Sequence, residues 1–399
     1  MDGFSEKRKR AAELERQKDL AGAFDIYSAL AARGDAFSQC KLGMYYYNGT
    51  GIGKSFTDAA HWFGKAAAQG DMYGQYNLGC CYNTGSGVSR SYEKAAELFE
   101  KAAAQGHAQA CNVIGLWYGI PRGTEYSPEK SVKWLERAAE LGVADAMYSL
   151  GRVYADGDGV VVDFKRAAEW FERAAKNGKA GAAKEAEAAR AKYRAAQEES
   201  PEVPALTVDE AADALGDDDE AEEALRWYAD HGVAEAQYKL AVATLVYGST
   251  DIPEEEAAGY CTQAAAQGHR AAQELLGECY TDENGVSFSA ERAFYWFGKA
   301  AAQGDPFSQN KLGDCYFDGE GVKQSFEKAA EWYKKAAIQG ESEAMFSLGY
   351  LYENGKGTDR DYSEALRWYR MAQARGDGDA AAAIARVEKI IKDHPEYDG

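Results

Sequence analysis

Apolar residues recur along this chain every 36 residues, and each period shows helical spacing twice. In residues 75–82, Leu78 and Tyr82 lie four positions apart, so both fall on one face of a helix. Residues 85–88 then form a glycine-rich turn that tolerates positive φ, and a second pattern rich in alanine runs through residues 94–103. Each period therefore predicts a helix–turn–helix unit.

Glycine and leucine fix the register of these units. A glycine typical of a helix end closes every unit, at Gly34, Gly70, Gly106, Gly142 and Gly178, then at Gly232, Gly268, Gly304, Gly340 and Gly376. A leucine, once an isoleucine, holds one place in the first helix, at Leu42, Leu78, Ile114, Leu150, Leu240, Leu276, Leu312 and Leu348. The step from Gly178 to Gly232 is 54 residues, so the register breaks once. A fixed period of this kind predicts an all-α solenoid.

Small and aromatic residues at fixed places predict how the helices pack. The residue after each signature position is a glycine in seven of the eight units, where it weakens a helix by about 1 kcal/mol relative to alanine. We interpret this recurring cost as close approach between helix backbones, with alanine pairs in the second helices doing the same. A tryptophan recurs in the second helix, at Trp62, Trp134, Trp170, Trp296, Trp332 and Trp368, and we expect these rings to form the core.

Composition restricts the function. A chain of 399 residues with 46% hydrophobic residues has room for two or three domains, and its net charge of −20 disfavours nucleic acid and anionic membranes as partners. No apolar run approaches the ~20 residues that span a bilayer, and the basic start of the chain lacks the apolar stretch of a secretory signal. The seven cysteines are odd in number and show no metal spacing. We therefore expect a cytoplasmic protein.

The repeated pattern resembles a known family. Leu312-Gly313, Tyr316, Gly319, Gly321-Val322, Lys328-Ala329, Trp332-Tyr333, Lys335-Ala336-Ala337 and Gly340 are similar to the Sel1-like repeat, a relative of the tetratricopeptide repeat. The resemblance covers nearly the whole chain. It implies a right-handed α/α superhelix of 36-residue repeats that binds proteins as an adaptor. Some disulfide-rich relatives are described as weak penicillin-binding proteins or β-lactamases, but the cysteines here do not recur as pairs within repeats.

The break in register predicts two arrays. The first, residues 1–198, would contain a capping helix pair, four repeats over 35–178 and a capping helix. An acidic linker with two prolines follows at 199–206. The second array, residues 207–399, would again contain a helix pair, four repeats over 233–376 and a closing helix. The acidic linker region is interpreted as a solvated hinge, with a dock for a basic partner or a weak cation site as alternatives.

Two units depart from the pattern, and one loop resembles a nucleotide site. Pro121 replaces a loop glycine in the third unit, and the fifth has Ala241, Thr244, Tyr247 and Ser249 at usually constant positions. Sequence drift explains both, with a binding loop as the alternative.

The stretch 49–55 resembles a phosphate loop but is one residue short and follows no strand. His107 and His269 share one repeat position after a glycine, which suggests helix caps. We predict no catalytic residue, cofactor or metal ligand.

The variable positions of the first helices are the candidate binding surface. Residues two before and two after the signature leucine lie one turn apart on the opposite face, and in tetratricopeptide superhelices the first helices line the concave groove. We name this set the groove row. Its candidate partner-binding members are Met44, Tyr76, Asn112, Tyr148, Arg152, Tyr238, Glu274, Glu278, Asn310, Asp314, Phe346 and Tyr350, and Cys40, Cys80, Leu116 and Val242 share these positions. Alternatively, some of these rings pack between repeats.

The predicted function is a non-catalytic scaffold that holds a protein or peptide segment in this groove. Tyr and Met side chains would bind the apolar part of the segment, while Glu274, Glu278 and Asp314 would attract Lys or Arg. The alternatives are a weak hydrolase of the β-lactamase or penicillin-binding type and a self-associating structural element. Because both arrays carry capping helices, we expect a monomer.

Overall fold

A computed structural model of the protein describes residues 4–198, 203–215 and 219–394. Within these residues the regular structure is entirely α-helical, as expected. The helices are α1 Ser5–Arg16, α2 Leu20–Ala32, α3 Ala36–Asn48, α4 Phe56–Ala68, α5 Met72–Thr84, α6 Tyr92–Ala104, α7 Ala108–Gly119, α8 Pro128–Glu140, α9 Ala144–Asp156, α10 Phe164–Lys176, α11 Ala182–Glu198, α12 Val208–Asp213, α13 Asp219–Asp230, α14 Ala234–Leu245, α15 Glu254–Ala266, α16 Arg270–Asp282, α17 Ala290–Ala302, α18 Pro306–Asp318, α19 Phe326–Ile338, α20 Ser342–Asn354, α21 Tyr362–Ala374 and α22 Ala380–Asp393.

The chain divides into two compact units. One contains residues 1–156 and 163–194, and the other contains residues 157–162 and 195–399. Each includes four successive helix pairs that stack as an α/α solenoid, and we number these pairs as repeats one to eight, starting at residues 35, 71, 107, 143, 233, 269, 305 and 341. The predicted linker lies partly outside the described residues, at 199–202, and residues 203–206 are not helical.

Short polar side chains and glycines set the ends of the helices. Ser127 caps α8 by accepting a hydrogen bond from the Lys130 backbone N–H, and Pro128 occupies the first helical position, as the sequence predicts. Four first helices, α3, α5, α18 and α20, end at a left-handed glycine. Because these caps recur with the sequence repeat, every unit starts and stops its helices at equivalent positions.

The recurring mid-helix glycine makes room mainly for a side chain of the second helix. A Cβ atom built on Gly43 would lie 2.6 Å from the Phe63 ring of the second helix, and one on Gly79 would lie 2.8 Å from the Phe99 ring. The same position faces Leu135, Phe171, Phe297, Tyr333 and Tyr369 in the other units that have this glycine. Close packing at this glycine is thus confirmed. The expected approach of a backbone is found at Gly43 and Gly115, where a Cβ would lie 3.2 Å from the Ala59 carbonyl oxygen and 3.0 Å from the Leu135 nitrogen, but the closest atoms at all seven belong to a side chain.

The core ring is the residue after the tryptophan, not the tryptophan itself. Phe63, Phe99 and Phe171 are each 1% exposed. Among the six tryptophans that share this repeat position, only Trp296 and Trp368 are buried, and Trp62, Trp134, Trp170 and Trp332 are half-buried. Cations cover several of these rings, with the Lys335 ammonium 3.6 Å from the centre of the Trp332 ring. The expectation that all six tryptophans form the core is therefore wrong for four of them.

A buried glutamine links the two helices of its own repeat in five repeats, and the sequence reasoning missed it. Its side-chain Oε1 accepts a hydrogen bond from a glutamine 30 residues later, at the end of the second helix, over 2.7 to 2.8 Å. In four of these repeats its Nε2 also donates to a backbone carbonyl of the preceding helix. The pairs are Gln39–Gln69, Gln75–Gln105, Gln237–Gln267, Gln273–Gln303 and Gln309–Gln339.

Helices also lie at the ends where capping elements were expected. α11 buries Ala182, Ala186 and Ala189, and Arg190 forms an ion pair with Glu172 of α10. At the other end, α22 packs against α21, and Arg386 makes two 2.7 Å hydrogen bonds to the Glu353 carboxylate.

Candidate functional site

The groove row divides into exposed, half-buried and buried side chains. Met44, Leu116 and Arg152 are exposed, with Met44 36% exposed. Cys40, Asn112 and Asn310 are buried. The other members are half-buried: Tyr76, Cys80, Tyr148, Tyr238, Val242, Glu274, Glu278, Asp314, Phe346 and Tyr350. Most of the row is therefore partly open, whereas the amides of Asn112 and Asn310 lie beneath the surface.

Several rings of the groove row pack against the core ring of their own repeat. The ring centres of Tyr76 and Phe99 are 5.6 Å apart, those of Tyr148 and Phe171 are 5.3 Å apart, and those of Phe346 and Tyr369 are 5.2 Å apart. Each ring thus has one edge in the core and another toward the surface. These three rings therefore pack within a repeat, whereas the alternative expected packing between repeats. That alternative is correct for Tyr350, whose ring centre lies 5.9 Å from that of Phe317 in the preceding repeat.

Two histidines that cap first helices lie beside the groove row of the preceding repeat. His107 Nδ1 accepts a hydrogen bond from the Ala110 N–H and stacks on Tyr76, with ring centres 4.3 Å apart. His269 likewise caps α16, and its ring lies 4.6 Å from Tyr238. The predicted capping role of both histidines is confirmed. The sequence analysis missed that these histidines lie beside the groove row. Each histidine is 31 residues further along the chain than the tyrosine it contacts, in the next repeat.

A cavity of about 530 Å³ opens along the first helices of repeats one and two. Met44, Cys40 and Tyr76 of the groove row contribute to its walls. Phe37 and Tyr73, which the sequence reasoning did not select, also line it and are 42% and 51% exposed. The cavity therefore brings predicted and missed residues together on a largely apolar surface.

Carboxyl groups dominate the same face in repeats six and seven. Burial, the nearby Asp305 carboxylate and the Glu278 carboxylate together raise the pKa of Glu274 to about 7. Burial and Asp282 raise the pKa of Glu278. Asp305, which caps α18, is 6% exposed and accepts a hydrogen bond from the Ser308 N–H over 2.7 Å. Glu274 is therefore a desolvated carboxyl that is only partly ionised near neutral pH.

Asp314 has a structural role as well. Its carboxylate accepts a 2.9 Å hydrogen bond from the hydroxyl of the core residue Tyr333, and burial raises its pKa to about 6. Reversing its charge would break a core hydrogen bond, so Asp314 cannot serve as a clean test of binding. Glu274 and Glu278 carry the acidic character of the groove row without this complication.

The repeats themselves match a known family. Residues 36–71, 73–107, 108–143, 144–179, 234–269, 270–305, 306–341 and 342–377 each match the Sel1 repeat. These eight matches cover more than half of the chain. The chain belongs to the Sel1-repeat family. No match was found among curated proteins.

Solved Sel1-repeat structures are similar to this chain. The protective antigen c5321 of uropathogenic Escherichia coli, which displays an SLR fold, is 31% identical over 92% of this chain and 75% of that chain, with a TM-score of 0.40. A Sel1 repeat protein from Oxalobacter formigenes is 22% identical over 83% of this chain and 96% of that chain, with a TM-score of 0.41. The cysteine-rich protein B of Helicobacter pylori is 25% identical over 31% of this chain and 95% of its own, with a TM-score of 0.27.

The loop that resembles a phosphate site is an ordinary turn of the Sel1 repeat. Gly49 ends α3 in the left-handed conformation, and Ser55 caps α4. The Lys54 ammonium lies 4.6 Å from the centre of the Phe56 ring, in a cation–π contact. Its interpretation as a turn between helices is confirmed. In the two irregular units, Ile120 and Tyr247 are 72% and 74% exposed, and sequence drift, with a binding loop as the alternative, stays a prediction for both.

The cysteines, the potential metal ligands and the helices of this Sel1-repeat chain were the remaining candidates for other kinds of site. The seven cysteines are free thiols, and burial raises the pKa of Cys40 and Cys279 to about 12. In the described part of the chain, no three His, Cys, Asp or Glu side chains are grouped so that they could hold a metal ion. Within residues 4–198, 203–215 and 219–394, none of the helices has both the length and the apolar character needed to cross a bilayer.

Proposed function

We propose that this Sel1-repeat protein is a non-catalytic scaffold that holds a protein or peptide segment along its first helices. Sel1-repeat solenoids are commonly protein-interaction scaffolds. The observation that carries the proposal is the cavity of about 530 Å³, because Phe37, Met44 and Tyr73 expose apolar surface around it. Large aromatic and methionine side chains in a concave site are typical anchors for a partner's apolar side chain.

The proposed binding residues are the candidate members of the groove row together with Phe37 and Tyr73. Met44 and Tyr76 would contact the apolar part of the segment in the first array. Glu274 and Glu278 would attract basic side chains in the second array, where half-buried carboxyls act through a weakly screened field. We further propose that the protein acts as a monomer in a reducing compartment such as the cytoplasm, where seven free cysteines are stable.

The test uses peptides selected for binding to the purified protein. A displayed random peptide library is panned on the full chain, and the selected peptides are measured by fluorescence anisotropy. Met44→Glu and Tyr73→Ser should each weaken binding by about tenfold or more, because they remove apolar contact or place a charge in the cavity. The hydrophobic residue Leu141 is 40% exposed outside this cavity, so Leu141→Glu is the control and should leave the affinity unchanged.

The proposal fails if Leu141→Glu abolishes binding while the cavity variants bind normally. Light scattering of the same samples tests the monomer. A mass that doubles with concentration would support the self-associating alternative. Turnover of a chromogenic β-lactam by the purified chain would support the hydrolase alternative.

A further inference from the structure

Two repeats of this protein begin with nearly the same five residues but have different neighbours. Repeat one begins Asp35-Ala36-Phe37-Ser38-Gln39, and repeat seven begins Asp305-Pro306-Phe307-Ser308-Gln309. In both, the aspartate caps the first helix and accepts a hydrogen bond from the serine N–H, over 3.0 Å in repeat one and 2.7 Å in repeat seven. The local backbone chemistry of the two sites is therefore the same.

In repeat one, a guanidinium group occupies the site. Arg8 of α1 donates from Nε to Asp35 Oδ2 over 3.0 Å and from its terminal nitrogen to Asp35 Oδ1. The guanidinium carbon also lies 5.5 Å from the centre of the Phe37 ring. The Ser38 hydroxyl donates to the same carboxylate. Carboxylate, ring and hydroxyl thus form a complete receptor for an arginine side chain.

In repeat seven, the same residues are present, but within the described residues no arginine forms an ion pair with Asp305. The Lys311 ammonium, rather than a guanidinium, lies 5.1 Å from the centre of the Phe307 ring. Glu274 of α16 lies beside Asp305, within hydrogen-bonding reach of its carboxylate. Two carboxyl groups can share such a bond only if one carries a proton, and Asp305 already accepts from Ser308 N–H. The Ser308 hydroxyl, in a residue with no exposed surface, has no hydrogen-bond partner. The carbonyl oxygen of Asn310, 1% exposed, has none either.

We propose that Asp305, Phe307 and Glu274 bind the side chain of an arginine in a partner segment, as Asp35 and Phe37 bind Arg8. The inference rests on the proposed function and names the chemistry that the second array recognises. When the guanidinium binds Asp305, Glu274 releases its proton to solvent and becomes a second carboxylate partner of the arginine. One positive charge enters and one proton leaves, so the exchange is balanced.

Charged and titratable groups around Glu274 and Asp305 come from several helices. Arg270 and Glu278 of α16 act on Glu274 itself, and Glu274 acts on Tyr238 of α14. Asp305 acts on Glu341 at the start of α20, and Lys311 of α18 acts on Glu278 and Glu341. The carboxylates outnumber the cations, which favours an incoming cation. Because Glu274 must ionise to pair with the arginine, binding should weaken as the pH falls below about 7.

The probe is a synthetic nonapeptide of glycine and serine with one central arginine, compared with the same peptide carrying neutral citrulline. Amide shifts of Asp305 and Ser308, followed by NMR on the full chain, should report millimolar binding of the arginine peptide and about tenfold weaker binding of the citrulline peptide. Asp305→Asn keeps a good helix cap but should weaken binding by about tenfold. Glu331→Gln, on the exposed surface of α19, removes one negative charge as Asp305→Asn does, and should leave the affinity for the arginine peptide unchanged.

Two further variants test the mechanism. In the native protein, affinity should fall by about tenfold between pH 8 and pH 5.5, whereas Glu274→Gln should make it independent of pH. Arg8→Ala should open the equivalent site, so that the arginine peptide also shifts the amides of Asp35 and Ser38. Equal binding of the citrulline peptide, unchanged binding by Asp305→Asn, or no second site in Arg8→Ala would each overturn the inference.

Failure of the inference can be distinguished from failure of the proposed function. If Asp305→Asn has no effect but Met44→Glu abolishes binding of selected peptides, the arginine site is wrong and the scaffold proposal stands. If the cavity variants bind normally and Leu141→Glu does not, the scaffold proposal is wrong whatever happens at Asp305.

Discussion

The caps of repeats one and seven show how the same local sequence acquires different chemistry. Both place an aspartate, a phenylalanine and a buried glutamine at equivalent positions. Arg8 neutralises the aspartate in repeat one, whereas Glu274 faces it in repeat seven. In each case the neighbour comes from the preceding helix pair. The repeat therefore provides the scaffold, and the residue contributed from outside the repeat decides what the site binds.

The two caps should also respond to pH in opposite directions. Although burial of Asp35 opposes ionisation, its hydrogen bonds from Arg8 and Ser38 lower its pKa. Its contribution to stability is therefore present above the pKa of the unfolded chain and lost as the pH falls. The pKa of Glu274 is raised, so its contribution is present below the unfolded value and lost as the pH rises through about 7. Measuring stability against pH therefore distinguishes the cap that pairs with Arg8 from the cap that lies beside Glu274.

The largest effect should come from the core that the two repeats share. In Gly43→Val and Gly313→Val, the new side chains would collide with the rings of Phe63 and Tyr333. Each should lower the free energy of unfolding by about 3 kcal/mol, measured by chemical denaturation. Gly64→Ala is the control, because a Cβ there has open space, and it should gain about 0.5 kcal/mol. If only one of the two valine variants lowered the free energy of unfolding, repeats one and seven would not share the same core packing.

Removing Arg8 should have the next largest effect. Arg8→Ala leaves the carboxylate of Asp35, which is 3% exposed, without its cation, and should cost about 2 kcal/mol at neutral pH. The loss should shrink in acid as Asp35 becomes protonated. Arg367→Ala removes an exposed ion pair with Glu364 and should cost only about 0.3 kcal/mol. Equal losses in the two variants would mean that the Arg8 pair is an ordinary surface contact.

The buried glutamines should have equal effects in the two repeats. Gln39→Leu and Gln309→Leu each remove a bond to a backbone carbonyl, over 3.1 and 3.2 Å, and a bond to a second glutamine. Each should cost about 1.5 kcal/mol, because a buried carbonyl loses its donor. Gln69→Ala should cost less, since its side chain is exposed and the buried partner keeps its other bond. Thermal unfolding of the three variants measures the difference.

The sequence predicted the period, the helices and several caps because these depend on local chemistry. Gly106 and Ser127 act at helix ends within one turn, and His107 caps the next helix, so their roles could be inferred without tertiary structure. The choice between Trp62 and Phe63 as core ring could not, because one residue rotates a side chain by about 100° and only helix packing fixes that angle.

The site was less predictable because its partners come from different helices. The groove row identified Glu274, but its neighbour Asp305, which the structure shows to cap α18, was not predicted. The glutamine pairs leave a signal in the sequence, a spacing of 30 residues in five repeats, which becomes meaningful once a helix end is known to lie beside a buried position. Arg8 lies in α1, outside the repeat register, so no periodic pattern points to Asp35.

The smallest effect is the one that best separates the two caps. Glu274→Gln should raise the free energy of unfolding by about 1 kcal/mol at pH 8, a figure reduced for solvent screening, because it removes a charge that burial and Asp305 disfavour. Near pH 5 the native glutamic acid is protonated, so the difference should vanish. Glu331→Gln should show no such dependence, since its carboxylate is exposed. A gain for Glu274→Gln that persists unchanged at pH 5 would mean that Glu274 is ionised throughout, and that repeat seven has no proton to exchange for an arginine.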